Sequence, residues 1–363
     1  MSYLSRIADA CTAVSLSKEE MRYFARHLLL PGIGTLGQQQ LKAARVLVVG
    51  AGGLGCPVLQ ALAGSGVGTI TVIDGDCVDI SNLARQWLHQ YVDVGLNKAQ
   101  SAQQKLAALN PFIQVEAQPE MLNTENADEL IAMHDVIVDA TDNMEVRYLI
   151  DEVCARYNRP WVHAALYRQS AQLCVFWEAC GARFSALYPE RSEAPSCAGA
   201  GMLGAAASAV ANLQALEVIK LITAYGRPQV GAVVSLNSST LQMQSFKLPG
   251  IRTPEMIESA DRVLSKHGCT VDALRQRQSI GEALRLIDLR PEKQFAEGTI
   301  PSAEHLSAEA ILESGLTHDS KQSVILFCEE GTISSLLVDA LRSRGAESLY
   351  HLDGGFRGWS ESL

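Results

Sequence analysis

The chain has no basic tract: 30 Lys and Arg face 40 Asp and Glu, a formal net charge of −10. Nucleic acid is therefore not expected as a partner, because binding its phosphates needs clustered cations. No cationic leader followed by an apolar run opens the sequence, so secretion is not expected. The most apolar later segment, Gly204 to Ala224, is interrupted by Asn212, Gln214, Glu217 and Lys220. It reads as a buried helix, and no membrane span is expected. The nine cysteines are odd in number and follow no regular framework. That fits a reducing compartment and a cytoplasmic protein. At 363 residues, 47% of them hydrophobic, the chain has material for two domains with substantial cores.

The most informative text is Val46-Leu47-Val48-Val49 followed by Gly50-Ala51-Gly52-Gly53-Leu54-Gly55. Four β-favouring apolar residues predict a buried strand. Gly50, Gly52 and Gly55 have the spacing of a nucleotide-binding turn, where backbone must approach phosphate closely. A helix opening near Cys56-Pro57 would point its first N–H groups at that anion. A second strand, Thr69 to Ile73, delivers Asp74 to the position where ribose hydroxyls are bound. These features alone suit a dinucleotide as well as ATP. The run Ser81-Asn82-Leu83-Ala84-Arg85-Gln86 favours ATP, since a nicotinamide enzyme has no use for it. Arg85 and Lys98 supply fixed positive charge for a triphosphate. A later strand, Val136 to Ala140, places Asp142 at a strand's C-terminal end, where it could hold Mg²⁺ against phosphates.

Taken in order, these motifs resemble the ThiF/MoeB superfamily, adenylyltransferases of the ubiquitin-activating type, from about Leu16 to about Phe246. The resemblance implies ATP-dependent adenylation of the C-terminal Gly-Gly carboxylate of a small ubiquitin-like sulfur-carrier protein. It implies ATP or Mg²⁺ contacts at Gly53, Asp74, Ser81, Asn82, Leu83, Ala84, Arg85, Lys98, Asp142 and Asn143. Arg26 matches an arginine that crosses a homodimer interface to the partner's phosphates; the alternative is a surface arginine on an amphipathic helix. Cys197, in a loop rich in small residues, matches a cysteine that links covalently to the carrier; the alternative is an unreactive loop thiol. Many relatives hold zinc through two Cys-x-x-Cys pairs, the first just before Leu-Tyr-Pro-Glu. Here Leu187-Tyr188-Pro189-Glu190 is preceded by Arg183 and Ala186 at the ligand positions, so zinc is predicted absent.

Past Pro249-Gly250 the text restarts after an expected helix, Glu255 to Ser265. Asp288-x-Arg290 with Phe295, Gly298-x-Ile300-Pro301-x-Ala303 and Leu352-x-Gly354-Gly355 with Trp359 resemble a rhodanese domain. The resemblance makes Cys328-x-x-Gly331-x-x-Ser334 the active loop and Cys328 its persulfide carrier. The loop carries Glu329 and Glu330 where relatives offer a basic side chain, which disfavours a thiolate. Thr299 stands where the family has histidine. A degenerate module kept for docking is the alternative.

The expected architecture is α/β. Residues 1–250 form a doubly wound, mostly parallel Rossmann-like sheet with antiparallel strands around Ser170 to Phe176 and Gly231 to Phe246. Residues 251–275 are a linker, and residues 276–363 a smaller α/β rhodanese domain. The family implies that Cys328, charged by a donor such as a cysteine desulfurase or thiosulfate, attacks the acyl-adenylate, with Cys197 resolving the product. A plain activator forming a thioester at Cys197, with the rhodanese module as scaffold, stays open. A dinucleotide-dependent oxidoreductase ranks well below both.

Overall fold

Along β1 (Arg45–Val49), Val46 and Val48 pack into one hydrophobic cluster while Leu47 and Val49 pack into another. Successive side chains on a strand point to opposite faces. A strand apolar at four consecutive positions, as β1 is from Val46 to Val49, must therefore lie in a sheet covered on both sides. The computed structural model describes residues 6–7, 10–11, 13–30, 32–189, 201–223, 225–252, 267–308, 310–311, 316, 322–329, 331–342, 346 and 348–362. The chain divides into two units: Met1–Phe24 with Gly37–Ile257, and Ala25–Leu36 with Glu258–Leu363.

In the first unit, β1 is flanked by β2 (Thr69–Ile73) and β4 (Val136–Asp139), both parallel to it. Outside them lie β3 (Gln114–Gln118) on one side and β5 (Trp161–Tyr167) on the other, also parallel. Three antiparallel strands extend the sheet: β6 (Ser170–Phe176), β7 (Ala232–Asn237) and β8 (Gln242–Lys247). The order is β3-β2-β1-β4-β5-β6-β7-β8. The expected doubly wound sheet with an antiparallel extension is thus observed. Between β1 and β4 the strand order reverses, and a crevice opens there at the carboxyl ends of the strands.

Of helices α1 (Gly55–Ser65), α2 (Lys98–Leu109), α3 (Met144–Arg156) and α4 (Gly204–Ile222), α2 and α3 contribute Lys98, Val146 and Arg147 to the crevice wall. α4 is long and apolar enough to cross a membrane by composition. Its buried residues Ala207, Val210, Ala211, Val218 and Leu221 pack with Val46, Leu59 and Val162 as a core helix. Opposite them, Trp161, Phe176 and Phe184 form an aromatic cluster with ring centroids 4.9–5.8 Å apart.

The second unit contains an all-parallel sheet, β11-β10-β12-β13-β9. Its strands are β9 (Gly268–Cys269), β10 (Leu284–Asp288), β11 (Ala303–His305), β12 (Ser323–Phe327) and β13 (Leu349–Leu352). β12 is buried on both faces, Val324 and Leu326 in one cluster and Ile325 and Phe327 in the other. It ends at Cys328. Helices α5 (Thr332–Arg342) and α6 (Gly355–Glu361) follow the Cys328 loop and β13. The helix expected over Glu255 to Ser265 lies outside the described residues, apart from its first positions' neighbours at 251–252.

Candidate active site

The β1–β4 crevice is a cleft of about 590 Å³. Gly50, Gly52 and Gly53 line its floor, Asp74 and Asp76 the β2 side, and Asp142 and Asn143 the β4 side. Asn82, Arg85 and Lys98 join them from the crossover after β2. The structure therefore gathers most of the residues singled out in the sequence. Gly55, Ser81, Leu83 and Ala84 do not line the cleft. Gly55 is a packing glycine: a Cβ there would lie 2.0 Å from the carbonyl oxygen of Gly50. The Ser81 hydroxyl donates to Asp79 (2.6 Å), and its carbonyl accepts from Arg85 Nη1 (2.9 Å). The Ala84 carbonyl accepts from the Trp87 indole at 3.1 Å. Cys197 lies outside the described residues. Arg26 sits on a short helix, Ala25–Leu28, within the segment that groups with the second unit, and is not among the cleft-lining residues.

Asp74 has a structural duty as well as a place in the cleft. Its Oδ2 accepts from the Ala51 amide (2.7 Å) and its Oδ1 from the Asp76 amide (2.8 Å). The carboxylate thus fixes the glycine turn to the end of β2. His89 holds the same turn from behind. Burial keeps it below its ordinary value, hence neutral, so Nε2–H donates to the Ala51 carbonyl (3.0 Å) while Nδ1 accepts from Ser101 (2.9 Å). Lys98 is nearly buried and pairs with Asp76 at 2.8 Å. Asn143 caps α3, its Oδ1 accepting from the Glu145 and Val146 amides.

The residues fit a nucleoside triphosphate. Cβ atoms at Gly52 and Gly53 would project against Gln86, Arg85 and Met202, so bare backbone is presented where phosphate would lie. Gln86, 3% exposed, lines the cleft with its Oε1 unpartnered. A buried polar atom facing a cleft needs a hydrogen-bond donor, which water or a bound ligand can supply. The size lies in the range of small-molecule sites.

Sequence reasoning missed the group that shapes the β4 end. Asp139 is fully buried, and its Oδ2 accepts from His163 Nδ1 (2.7 Å) and Arg147 Nε (3.1 Å). Its Oδ1 accepts from the Thr141 amide (3.0 Å) and hydroxyl (2.8 Å). Arg147 Nη2 donates to the Thr141 carbonyl at 2.6 Å. Burial pushes Asp139 up; Arg147 and His163 outweigh it and hold the carboxylate below its usual range. Burial lowers His163, which stays neutral. This cluster clamps the loop that carries Asp142. A hint existed in the Asp139 to Arg147 interval, which spans strand end to helix; the His163 partner comes from the neighbouring strand and carries no local signal.

At the positions where relatives place zinc ligands, Arg183 pairs with Asp151 and Glu178. Asp151 also accepts from the Phe184 amide and the Ser185 hydroxyl. Burial pushes the nearby Cys174 thiol up to about 12.

In the second unit, Cys328 is 4% exposed, with Sγ 3.7 Å from the Ser334 hydroxyl. The Phe356 amide donates to the Cys328 carbonyl (2.8 Å) and the Arg357 amide to that of Glu329 (2.9 Å). Both contacts come from the start of α6, where Gly354 and Gly355 have positive φ. Arg290 reaches the loop at Glu329 (3.5 Å), is paired with the buried Asp288 (2.8 Å) and is stacked on Phe356 at 3.5 Å. Thr299, the departure from the family pattern, donates its hydroxyl to Asp288 at 2.8 Å.

Comparison with known proteins agrees with this geometry. The chain is 36% identical over 380 residues to the probable adenylyltransferase/sulfurtransferase MoeZ of Mycobacterium tuberculosis, covering 97% of this chain and 95% of that protein. It is 42% identical over 246 residues to the sulfur carrier protein adenylyltransferase of Thermus thermophilus, covering 66% of this chain and 90% of that protein. A crystal structure of E. coli MccB with ATP shares the fold at a TM-score of 0.52 and 23% identity, covering 69% of this chain and 84% of that one. With residues 24–256 matching the ThiF family and residues 270–362 a rhodanese-like domain, the chain belongs to the ThiF family and joins it to a sulfurtransferase module.

Proposed function

We propose that this enzyme adenylates the C-terminal Gly-Gly carboxylate of a small ubiquitin-like sulfur-carrier protein and then transfers sulfur to it from a persulfide on Cys328. The observation that carries the reading is one cleft holding the Gly50 turn, Arg85, Lys98 and Asp142, in a chain that also bears a rhodanese cysteine loop. ATP is the substrate suited to that cleft. The carrier's carboxylate attacks the α-phosphorus, and pyrophosphate leaves with the bonding electrons. Arg85 and Lys98 offset the charge that develops on the phosphates. Binding ATP releases Lys98 from Asp76, so the lysine exchanges one anion for another without crossing an apolar state.

Asp142 is the residue that would hold Mg²⁺, which supplies Lewis-acid neutralisation of phosphate charge. Zinc has no role in this reading, because Arg183 with Asp151 replaces ligands by an ion pair. The terminal sulfur of the Cys328 persulfide attacks the acyl carbon and expels AMP. The Cys197 thiolate then attacks the Cys328 sulfur, forming a disulfide and releasing the carrier thiocarboxylate. The sulfur donor is a cysteine desulfurase or thiosulfate, and the setting is the cytoplasm.

A homodimer, with Arg26 reaching a partner's phosphates, is part of the proposal. Ile80, Trp87, Tyr91, Val92, Val94 and Leu96, all exposed on the one chain segment that also carries Arg85 and Asn82 to the cleft, support it. Solitary exposed apolar residues are ordinary, whereas a contiguous group marks an interface.

The test is Cys328→Ala in the full chain, given MgATP, carrier and a persulfide donor. Adenylation should persist while thiocarboxylate formation stops. Thiocarboxylate formed at the wild-type rate would instead favour a plain activator that uses Cys197 with the rhodanese module as scaffold.

A further inference from the structure

We propose that the Cys328 loop selects against dianionic sulfur donors and takes its sulfur from a persulfide, with Glu329 as the residue that sets this preference. The inference rests on Cys328 being the sulfur carrier and narrows the class of donor.

The loop from Cys328 to Ser334 contains two carboxylates and no cation. The Glu329 side chain is 44% exposed, on the residue next to the thiol. Arg290 is the guanidinium beside Glu329, and its donors are already taken. Nε and Nη2 bond Asp288, Nη2 also bonds the Gly298 carbonyl, and Nη1 lies 3.5 Å from Glu329. Phe356 covers its face, leaving the side chain 4% exposed. Arg357 is exposed nearby and has partners of its own. Against these two cations stand Asp288, Glu329 and, beside the loop at the end of β13, Asp353. The surroundings of the thiol are therefore net negative.

Two donor chemistries make different demands on such a site. With thiosulfate, the Cys328 thiolate attacks the outer sulfur, the S–S bond breaks, and sulfite leaves with the electron pair. The sulfonate must then sit within a few ångströms of the loop, where it needs donors or cations and meets a carboxylate. With a persulfide R–S–SH, the thiolate attacks the terminal sulfur and R–S⁻ departs as a thiolate. That donor brings at most one charge and no sulfonate. Like-charge juxtaposition penalises the first and largely spares the second.

The experiment uses the full chain as wild type, Glu329→Gln and Glu329→Lys, with Cys328→Ala as the control for loading. Sulfur transfer is followed from thiosulfate, from cysteine persulfide in solution, and from a cysteine desulfurase charged with cysteine. The last two arms separate a small persulfide from a protein-borne one, and loading from either supports the inference. The ratio of thiosulfate to persulfide kcat/KM should rise about tenfold in Glu329→Lys, and less in Glu329→Gln. That gain should shrink as ionic strength rises, because the partners are solvent-exposed. Wild-type enzyme using thiosulfate as readily as persulfide, with a ratio unmoved by Glu329→Lys, overturns the proposal while leaving Cys328 as carrier. Loading of the wild type from no donor removes Cys328 from its assigned role and the inference with it.

Discussion

A methyl group at position 50 would sit 2.8 Å from the carbonyl oxygen of Ala140, and the backbone there has φ +100°. Gly50→Ala should therefore cost about 1–3 kcal/mol in urea unfolding and weaken MgATP binding further, because the turn itself moves. Lys98 makes a different case. Lys98→Met removes the cation but leaves Asp76 in the cleft, so pyrophosphate exchange should fall roughly 10²–10³-fold. Stability should change far less, since Asp76 is 56% exposed and rehydrates. Residue identities of this kind were legible because glycine spacing and charge are written locally. The Lys98–Asp76 pair was not, since it depends on how the crossover after β2 folds back. Nor did the text reveal that Asp74 and Asn143 spend their oxygens on backbone amides.

At the scale of elements, the β4 end is governed by Asp139, Arg147 and His163, which come from β4, α3 and β5. Arg147→Leu would strand a buried carboxylate and should destabilise the first unit by about 3–5 kcal/mol in urea unfolding. Arg147→Lys should recover part of that stability, with slower adenylation because Thr141 loses its second tie. Burial also lowers His89, His134 and His163 below the ordinary histidine value. Each then binds a proton more readily unfolded than folded, so its contribution is complete above the unfolded value and lost as pH falls. The urea midpoint should hold between pH 7 and 8 and drop below about pH 6.5, before the carboxylates titrate. A midpoint that rises on acidification would contradict these neutral assignments. The elements themselves were readable: β1 is apolar from Val46 to Val49 and β2 is buried from Ile70 to Ile73 because both sheet faces are covered. The three-residue cluster was not readable as a whole because His163 joins Asp139 only through strand order.

For the molecule as a whole, the division into an adenylating and a sulfur-transferring part was legible from motifs that recur in order. The place of Arg26 was not, since the segment Ala25–Leu36 groups with the second unit despite its position in sequence. Motif text records neighbours along the chain, and this segment's partners lie elsewhere. The account depends on one claim, that MgATP occupies the cleft over the Gly50 turn. Calorimetric titration of the full chain with MgATP and with NADH tests it most directly. The account predicts saturable MgATP binding that Lys98→Met weakens severely, and no heat from NADH. An absence of MgATP binding, or NADH bound in competition with it, would contradict the account.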